Sequence, residues 1–298
     1  MPVTHYTPQT QTTLAFLTAY HVGGAAQWFD QPQDRAGLEE ALLWVRRSDV
    51  PLTVVGAGTN LLVSDQGIAG LVLSLRQLQG STWQPEGRVT VGAGEPIARL
   101  AWQSARRGWH GLEWAVGIPG SMGGAVAMNA GAHGWETAQV VLGAEVLNTT
   151  TGEWRYLTRA QLGFSYRSSV VQQEPWVVVA VDLQLSPGQA ANQLVEQVEQ
   201  YNRHRRQTQP QGYPNCGSVF RNPPGYAAGW LLEQCGLKGQ RVGGAQVAHE
   251  HANFIVNVDQ ARAQDIWTLM AQMQQRVQAQ FGLNLQAEVK TLGEMTIL

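Results

Sequence analysis

Two glycine-rich segments are the first places where residue type and spacing could do chemistry. Val54-Val55-Gly56-Ala57-Gly58-Thr59-Asn60-Leu61 reads as a strand ending in Gly-x-Gly, which lets a backbone turn sharply and aim its N–H groups at a phosphate. It is not the dinucleotide fingerprint, because Leu61 stands where the third glycine would be. Gly92-Ala93-Gly94 departs from it in the same way at Ile97. Tight structural turns explain either loop equally well. The second segment is richer: Gly111-Leu112-Glu113, then Gly117-Ile118-Pro119-Gly120-Ser121-Met122-Gly123-Gly124, then Met128-Asn129-Ala130-Gly131-Ala132. So many glycines suit a backbone packed directly against a flat or extended ligand. A pyrophosphate would accept from the exposed amides, and an isoalloxazine ring could lie against residues without bulky side chains.

The elements that must position these loops alternate between strands and helices. Residues 52–55, 70–75 and 89–91 read as strands, and Pro96 suits the first turn of a helix over 97–107 that Gly108 ends. Strands follow over 140–147, 154–157 and 176–185. Ser186-Pro187-Gly188 marks a composition change, after which 191–206 reads as a polar helix, basic at its end. In 261–281, Ile266, Leu269, Met270, Met273, Val277 and Phe281 recur at helical steps, the ordinary spacing of core packing. Gly282 stops that helix, and 285–292 alternates like a strand. Residues 114–132 carry no charge and are nearly long enough to span a bilayer. Their glycines and Pro119 argue instead for loop and turn.

At 298 residues, two or three domains are expected. A hydrophobic fraction of 44% and a charged fraction of 14% are those of a globular chain. The net charge of -2 supplies no field to recruit nucleic acid or an acidic membrane. Anionic ligands must therefore be held by local amides and a few placed cations. Cys216 and Cys235 are the only cysteines and match no metal or redox spacing, which favours a reducing compartment. Residues 1–20 lack a basic start followed by an apolar core, so a secretory signal is not expected. His249-Glu250-His251 lacks the four-residue spacing of a zinc helix, and no metal is expected. The run Arg203, His204, Arg205, Arg206 suits either a solvated helix end or an approach to a diphosphate.

The two glycine segments together resemble the FAD-binding domain of the vanillyl-alcohol oxidase and p-cresol methylhydroxylase superfamily. Within it, Gly-Ile-Pro-Gly-Ser-Met-Gly-Gly followed by Met-Asn-Ala-Gly is similar to the UDP-N-acetylenolpyruvoylglucosamine reductase family. Phe164-Ser165-Tyr166-Arg167-Ser168-Ser169 and Asn215-Cys216-Gly217-Ser218-Val219-Phe220-Arg221-Asn222-Pro223 resemble further family segments. So do Gly236-Leu237-Lys238-Gly239, His251-Ala252-Asn253-Phe254 and Ala287-Glu288-Val289, all in colinear order.

The resemblance implies an α+β fold: a PCMH-type two-part FAD-binding domain plus a C-terminal α+β substrate-binding domain. Its parts would be 1–77, completed by a C-terminal strand at 286–298, then 78–186, then 187–285. Non-covalent FAD would be held by Gly56, Ala57, Gly58, Thr59, Asn60 and Leu61 on one side. Gly117, Ile118, Pro119, Gly120, Ser121, Gly123, Gly124, Asn129 and Gly131 would form the second wall. Neither loop contains the histidine or cysteine that a covalent flavin requires. The implied activity is cytoplasmic reduction of UDP-N-acetylenolpyruvoylglucosamine by NADPH, in peptidoglycan precursor synthesis.

In the implied reaction, hydride passes from reduced flavin N5 to the vinyl carbon of the substrate. Arg167 would stabilise the enolate-like intermediate as a charged fork, and Ser218 would protonate it. Glu288 would polarise the same carboxylate if protonated or bridged through water. Tyr166, Arg206, Arg221, Asn222 and Lys238 are the implied substrate contacts. Read singly, Ser218 is also a plausible turn serine, Arg167 an exposed strand residue, and Glu288 the polar side of a strand with Gln286 and Lys290.

Two departures stand out. Thr208 precedes Gln209-Pro210 where many relatives have lysine, shifting diphosphate anchoring to a neighbouring arginine. The short connection between Arg167 and Ser218 resembles the family's shorter form, which lacks a tyrosine loop over the substrate. The rival readings are another flavin oxidase or dehydrogenase of the superfamily, or a sugar-nucleotide sensor that has lost catalysis. No protein partner is indicated.

Overall fold

A computed structural model describes residues 6–295, which divide into two compact units. The first comprises 6–9, Phe29–Ala57 and Gly70–Arg205, and the second Thr10–Trp28, Gly58–Ala69 and 206–295. The secondary structure is mixed α+β, as the sequence implies.

In the first unit, Asp34 caps helix α1, Arg35–Ser48, by accepting from the Gly37 amide at 2.9 Å. Leu38, Leu42 and Val45 form its buried stripe, and strand Leu52–Val55 then pairs in parallel with Ile68–Ser74. A five-stranded sheet follows, in the order Trp154–Thr158, Val141–Asn148, Trp176–Gln184, Arg88–Gly92, Ser81–Trp83. Helix α2, Ile97–Arg106, buries Ile97, Leu100, Ala101 and Ala105 in this core. Pro96 stands just outside it, as the cap residue with extended backbone.

The reading of 114–132 as loop and turn needs correction. Glu113–Gly117 is a 3₁₀ turn, and Met122–Met128 is a short helix, α3. Tertiary burial overrides the low helix propensity of Gly123 and Gly124. Met122, Ala125 and Val126 lie on one buried face, Ser121 caps the start, and Asn129 ends the helix at φ 41°. Gly123 is needed for packing: a Cβ there would stand 2.9 Å from that of Ala93. Helix α4, Ala191–Thr208, buries Leu194 and Val198 in the same core.

The second unit is built on helices α5, Ala228–Gln234, and α6, Ala263–Phe281. Helix α6 buries Ile266, Leu269, Met270, Met273 and Val277, and Gly282 terminates it at φ 69°. Its core continues through Leu231, Val247, Ile255, Val219 and Phe220. A three-stranded antiparallel sheet joins Arg241–Val242, Ala245–Val247 and Ile255–Asn257. The strand expected over 285–292 is shorter: Lys290–Leu292 pairs in parallel with Leu61–Val63, while Ala287 makes a single bridge to Phe220. Among the described residues, no helix is long and apolar enough to cross a membrane.

Candidate active site

Arg167 sits in a tight turn of the first unit. Ser165 and Ser168 exchange backbone hydrogen bonds of 3.0 and 3.1 Å, leaving Tyr166 and Arg167 as the two central residues. Arg167 adopts φ 56°, a left-handed conformation uncommon for a residue with a side chain. The surroundings enforce it. Asn129, fully buried at the end of α3, donates to the Ser165 carbonyl at 3.0 Å and accepts from the Ala138 amide at 3.0 Å. Ser169 and Gln172 both donate to the Ala127 carbonyl, and Gln172 also donates to that of Arg167 at 3.1 Å. The guanidinium lies 5.1 Å from the Tyr166 ring centroid and donates to Gly131 O at 3.3 Å. Strain held by a fastened frame is a recurrent property of functional turns.

The glycine segments of this unit suit a flavin. Gly56 faces the start of α3 so closely that a Cβ would stand 2.7 Å from Ser121 Oγ. Among the described residues, the amides of Ala57, Gly120 and Ser121 donate to no protein acceptor. Three unused donors on two glycine loops match the acceptors of a pyrophosphate. Ile118 and Gly124 are half-buried and Pro119 is exposed, while a Cβ at Gly117 would stand 2.6 Å from Arg205 Cδ. Arg76, which sequence reading did not single out, donates to the Ala57 carbonyl and so fixes the first loop.

The loop continues into the second unit. Gly58, at φ 70°, admits no side chain, since a Cβ would lie 1.9 Å from Leu17 O. Thr59, Asn60 and Leu61 follow, and Asn60 ties this loop to the strand of Glu288. Its side chain donates to Glu288 O at 2.9 Å, and its carbonyl accepts from Lys290 N at 3.0 Å. The Glu288 amide donates to Val219 O at 2.7 Å, which brings the segment of Ser218 beside Glu288. Ser218 is half-buried, and its neighbour Gly217, at φ 75°, has nothing within 4 Å of a built Cβ.

Asn253 is a second residue that sequence reading did not assign. Buried, it accepts from Phe220 N at 3.0 Å and donates to Phe220 O at 2.8 Å, acting as a strand partner for the Ser218 segment. Cys216 donates to Leu61 O at 3.4 Å from behind, and burial pushes its thiol up to about 12.

The proposed substrate contacts fall in both units. Tyr166 is half exposed in the first unit and Arg206 is exposed in the second. Arg221 is half-buried, with its amide donating to Gln286 O at 2.9 Å. Asn222 caps α5 by accepting from Ala228 N at 2.9 Å, and Lys238 pairs with Glu233 at 2.7 Å. His249 and His251 pack on different glycines, Gly239 and Gly229. Among the described residues no three His, Cys, Asp or Glu side chains are grouped to hold a metal. A cavity of about 500 Å³ in this unit is lined by residues including Tyr213, Arg241, His249 and Asp259, and contains neither Ser218 nor Glu288.

Comparison with known proteins fits this arrangement. Residues 26–158 match an FAD binding domain, and residues 209–292 match the UDP-N-acetylenolpyruvoylglucosamine reductase C-terminal domain. The chain is 56% identical over 286 residues to the UDP-N-acetylenolpyruvoylglucosamine reductase of Gloeobacter violaceus, covering 96% of each. It is 50% identical over 289 residues to that of a Synechocystis species, covering 96% of this chain and 91% of that one. The crystal structure of the reductase from Thermus caldophilus superposes with a TM-score of 0.81 at 35% identity, over 95% of this chain and 98% of that one. The chain belongs to the UDP-N-acetylenolpyruvoylglucosamine reductase family of flavoprotein oxidoreductases.

Proposed function

We propose that this protein reduces UDP-N-acetylenolpyruvoylglucosamine to UDP-N-acetylmuramate with NADPH, in the cytoplasm, as a step of peptidoglycan precursor synthesis. The observation that carries the reading is the backbone hydrogen bonding that pairs the segment of Ser218 with that of Glu288, which Asn60 in turn joins to the first glycine loop. A binding protein that had lost catalysis would have no need to pair the segments of a proton donor and a carboxyl.

Gly56–Leu61 and the wall from Gly117 to Gly131 would hold FAD without a covalent bond. When bound, the flavin carries hydride between the nicotinamide and the vinyl group. Arg167, charged and forked, binds the substrate carboxylate and stabilises the negative charge that develops there. Ser218 gives its proton to the adjacent carbon. A hydroxyl is a weak acid, so it serves only because the acceptor is strongly basic, and Arg221 and Lys238 are the candidate cations to support it. Glu288, protonated or bridged through water, polarises the same carboxylate. Tyr166, Arg206 and Asn222 complete the substrate contacts. In domain terms, 1–77 with 286–298 and 78–186 would hold the flavin, and 187–285 would close over the sugar nucleotide.

The test is turnover. The purified protein, given FAD, NADPH and UDP-N-acetylenolpyruvoylglucosamine, should yield UDP-N-acetylmuramate by mass spectrometry. Absence of that product with flavin bound would refute the reading.

A further inference from the structure

Glu288 is held at both of its backbone polar groups. Its amide donates to Val219 O at 2.7 Å, next to Ser218, and its carbonyl accepts from the Asn60 side chain at 2.9 Å. Asn60 O also accepts from Lys290 N at 3.0 Å, so one residue grips the chain before and after Val289. Beyond that grip, Leu61–Val63 and Lys290–Leu292 run on as a parallel pair. Phe220 bridges to Ala287, and Arg221 N donates to Gln286 O at 2.9 Å. Residues 286–290 therefore bond to the segment of Ser218 and to the end of the first glycine loop, all within the second unit.

The side-chain bond differs in kind from the rest. Main-chain pairing of Leu61–Val63 already secures the strand, and most sequences can supply it. The contact to the Glu288 carbonyl needs a side-chain donor at position 60, which an amide supplies. The loop has little freedom to deliver it from elsewhere. Gly58, at φ 70°, packs so closely that a Cβ would stand 1.9 Å from Leu17 O, and Cys216 donates to Leu61 O at 3.4 Å. A carboxyl that must meet one substrate carboxylate depends on the peptide that carries it. A displacement of about 1 Å is enough to cost roughly 10²-fold in rate.

We propose that Asn60 is a positioning residue: from the loop that would hold FAD, its side chain sets the backbone of Glu288, so that flavin binding and the alignment of Glu288 are linked. The inference rests on the function proposed above and deepens the part given there to Glu288. Linkage is reciprocal, so whatever orders the loop orders Glu288. A clamp serving stability alone would act whatever residue stood at 288.

The test is a double-mutant cycle on the flavin-loaded protein, with Asn60→Ala, Glu288→Gln and the pair. Asn60→Ala should slow flavin reoxidation by saturating UDP-N-acetylenolpyruvoylglucosamine about 5- to 100-fold, the cost of an unpaired carbonyl. In the Glu288→Gln background the same change should cost less than about twofold, because its effect passes through the carboxyl. An undiminished effect in that background would overturn the proposal, and so would wild-type reoxidation by Asn60→Ala. Hydrogen exchange reads the linkage without turnover. FAD should slow exchange of the Glu288 amide about 5- to 100-fold in the wild type and less than about twofold in Asn60→Ala. Equal slowing in both proteins, or none in the wild type, would overturn the linkage. Amides of α6 should exchange alike in both, and acceleration there by the same factor would mark a general loss of stability and overturn the positioning role. Should Asn60→Ala not fold or not hold FAD, Asn60→Asp, which keeps the shape and loses the donor, must give the same pattern, and wild-type behaviour would overturn the proposal. A wild-type flavin that the substrate never reoxidises would sink the proposed function, and the exchange measurement would still decide the role of Asn60.

Discussion

The turn of Arg167 and the turn of Ser218 are built on opposite principles. Arg167 takes a left-handed backbone that a residue with a side chain resists, at φ 56°, and side chains from Asn129, Ser169 and Gln172 hold it there. Ser218 follows a glycine that takes φ 75° without strain, and backbone pairing to Glu288 and the Asn253 clamp fix its segment. The first turn stores strain and needs fastening. The second is relaxed and needs only register. The contrast suits their proposed tasks: a fork must point at one carboxylate, whereas a hydroxyl proton can rotate to its acceptor.

The comparison breaks most readily at the serine. Ser218→Ala should slow flavin reoxidation by substrate roughly 10²- to 10⁴-fold while leaving reduction by NADPH intact. Stopped-flow traces with both half-reactions equally slowed would remove Ser218 from the proton step. At the arginine, Arg167→Lys keeps the charge and loses the fork, with an expected loss in reoxidation of about 10²- to 10³-fold. Arg167→Gly should lose that step too, yet melt no lower than the wild type, because glycine relieves roughly 1–2 kcal/mol of left-handed strain. A clear drop in its Tm would mean that the turn is not strained.

The two clamps sharpen the contrast at smaller cost. Asn129→Ala and Asn253→Ala each leave buried backbone groups unpaired and should destabilise by about 1–3 kcal/mol in urea unfolding. Only Asn253→Ala should slow the protonation step relative to substrate binding, since it frees the register of Ser218. Asn129→Ala should instead weaken substrate binding through Arg167. Matching kinetic profiles for the two variants would erase the distinction. The smallest effect concerns Cys216: a buried thiol pushed up to about 12 should resist alkylation at neutral pH in the native protein, while Cys235 reacts. Peptide mapping after brief iodoacetamide treatment reads this, and early labelling of Cys216 would contradict its anchoring role.

Much of the frame was legible because period and punctuation carry it. The apolar steps of 261–281 give α6 almost to the residue, and Gly282 marks its end. Strand Leu52–Val55 and the Gly-x-Gly after it read directly. Helix α1 went unread although Asp34 and the Leu38, Leu42, Val45 spacing announce it. Helix α3 was hidden for a better reason: Gly123, which lowers helix propensity, is there because Ala93 packs against it. The left-handed turn at Arg167 is invisible to residue preference, which points the other way. Asn60 reaches a partner 228 residues on, and no local pattern reports such a contact.

The central claim is most directly tested by one anaerobic spectrum series. Purified protein loaded with FAD should bleach on addition of NADPH and recover its oxidised flavin absorbance only when UDP-N-acetylenolpyruvoylglucosamine follows. Bleaching without recovery would contradict the assigned acceptor, and failure to take up FAD would contradict the flavin site itself.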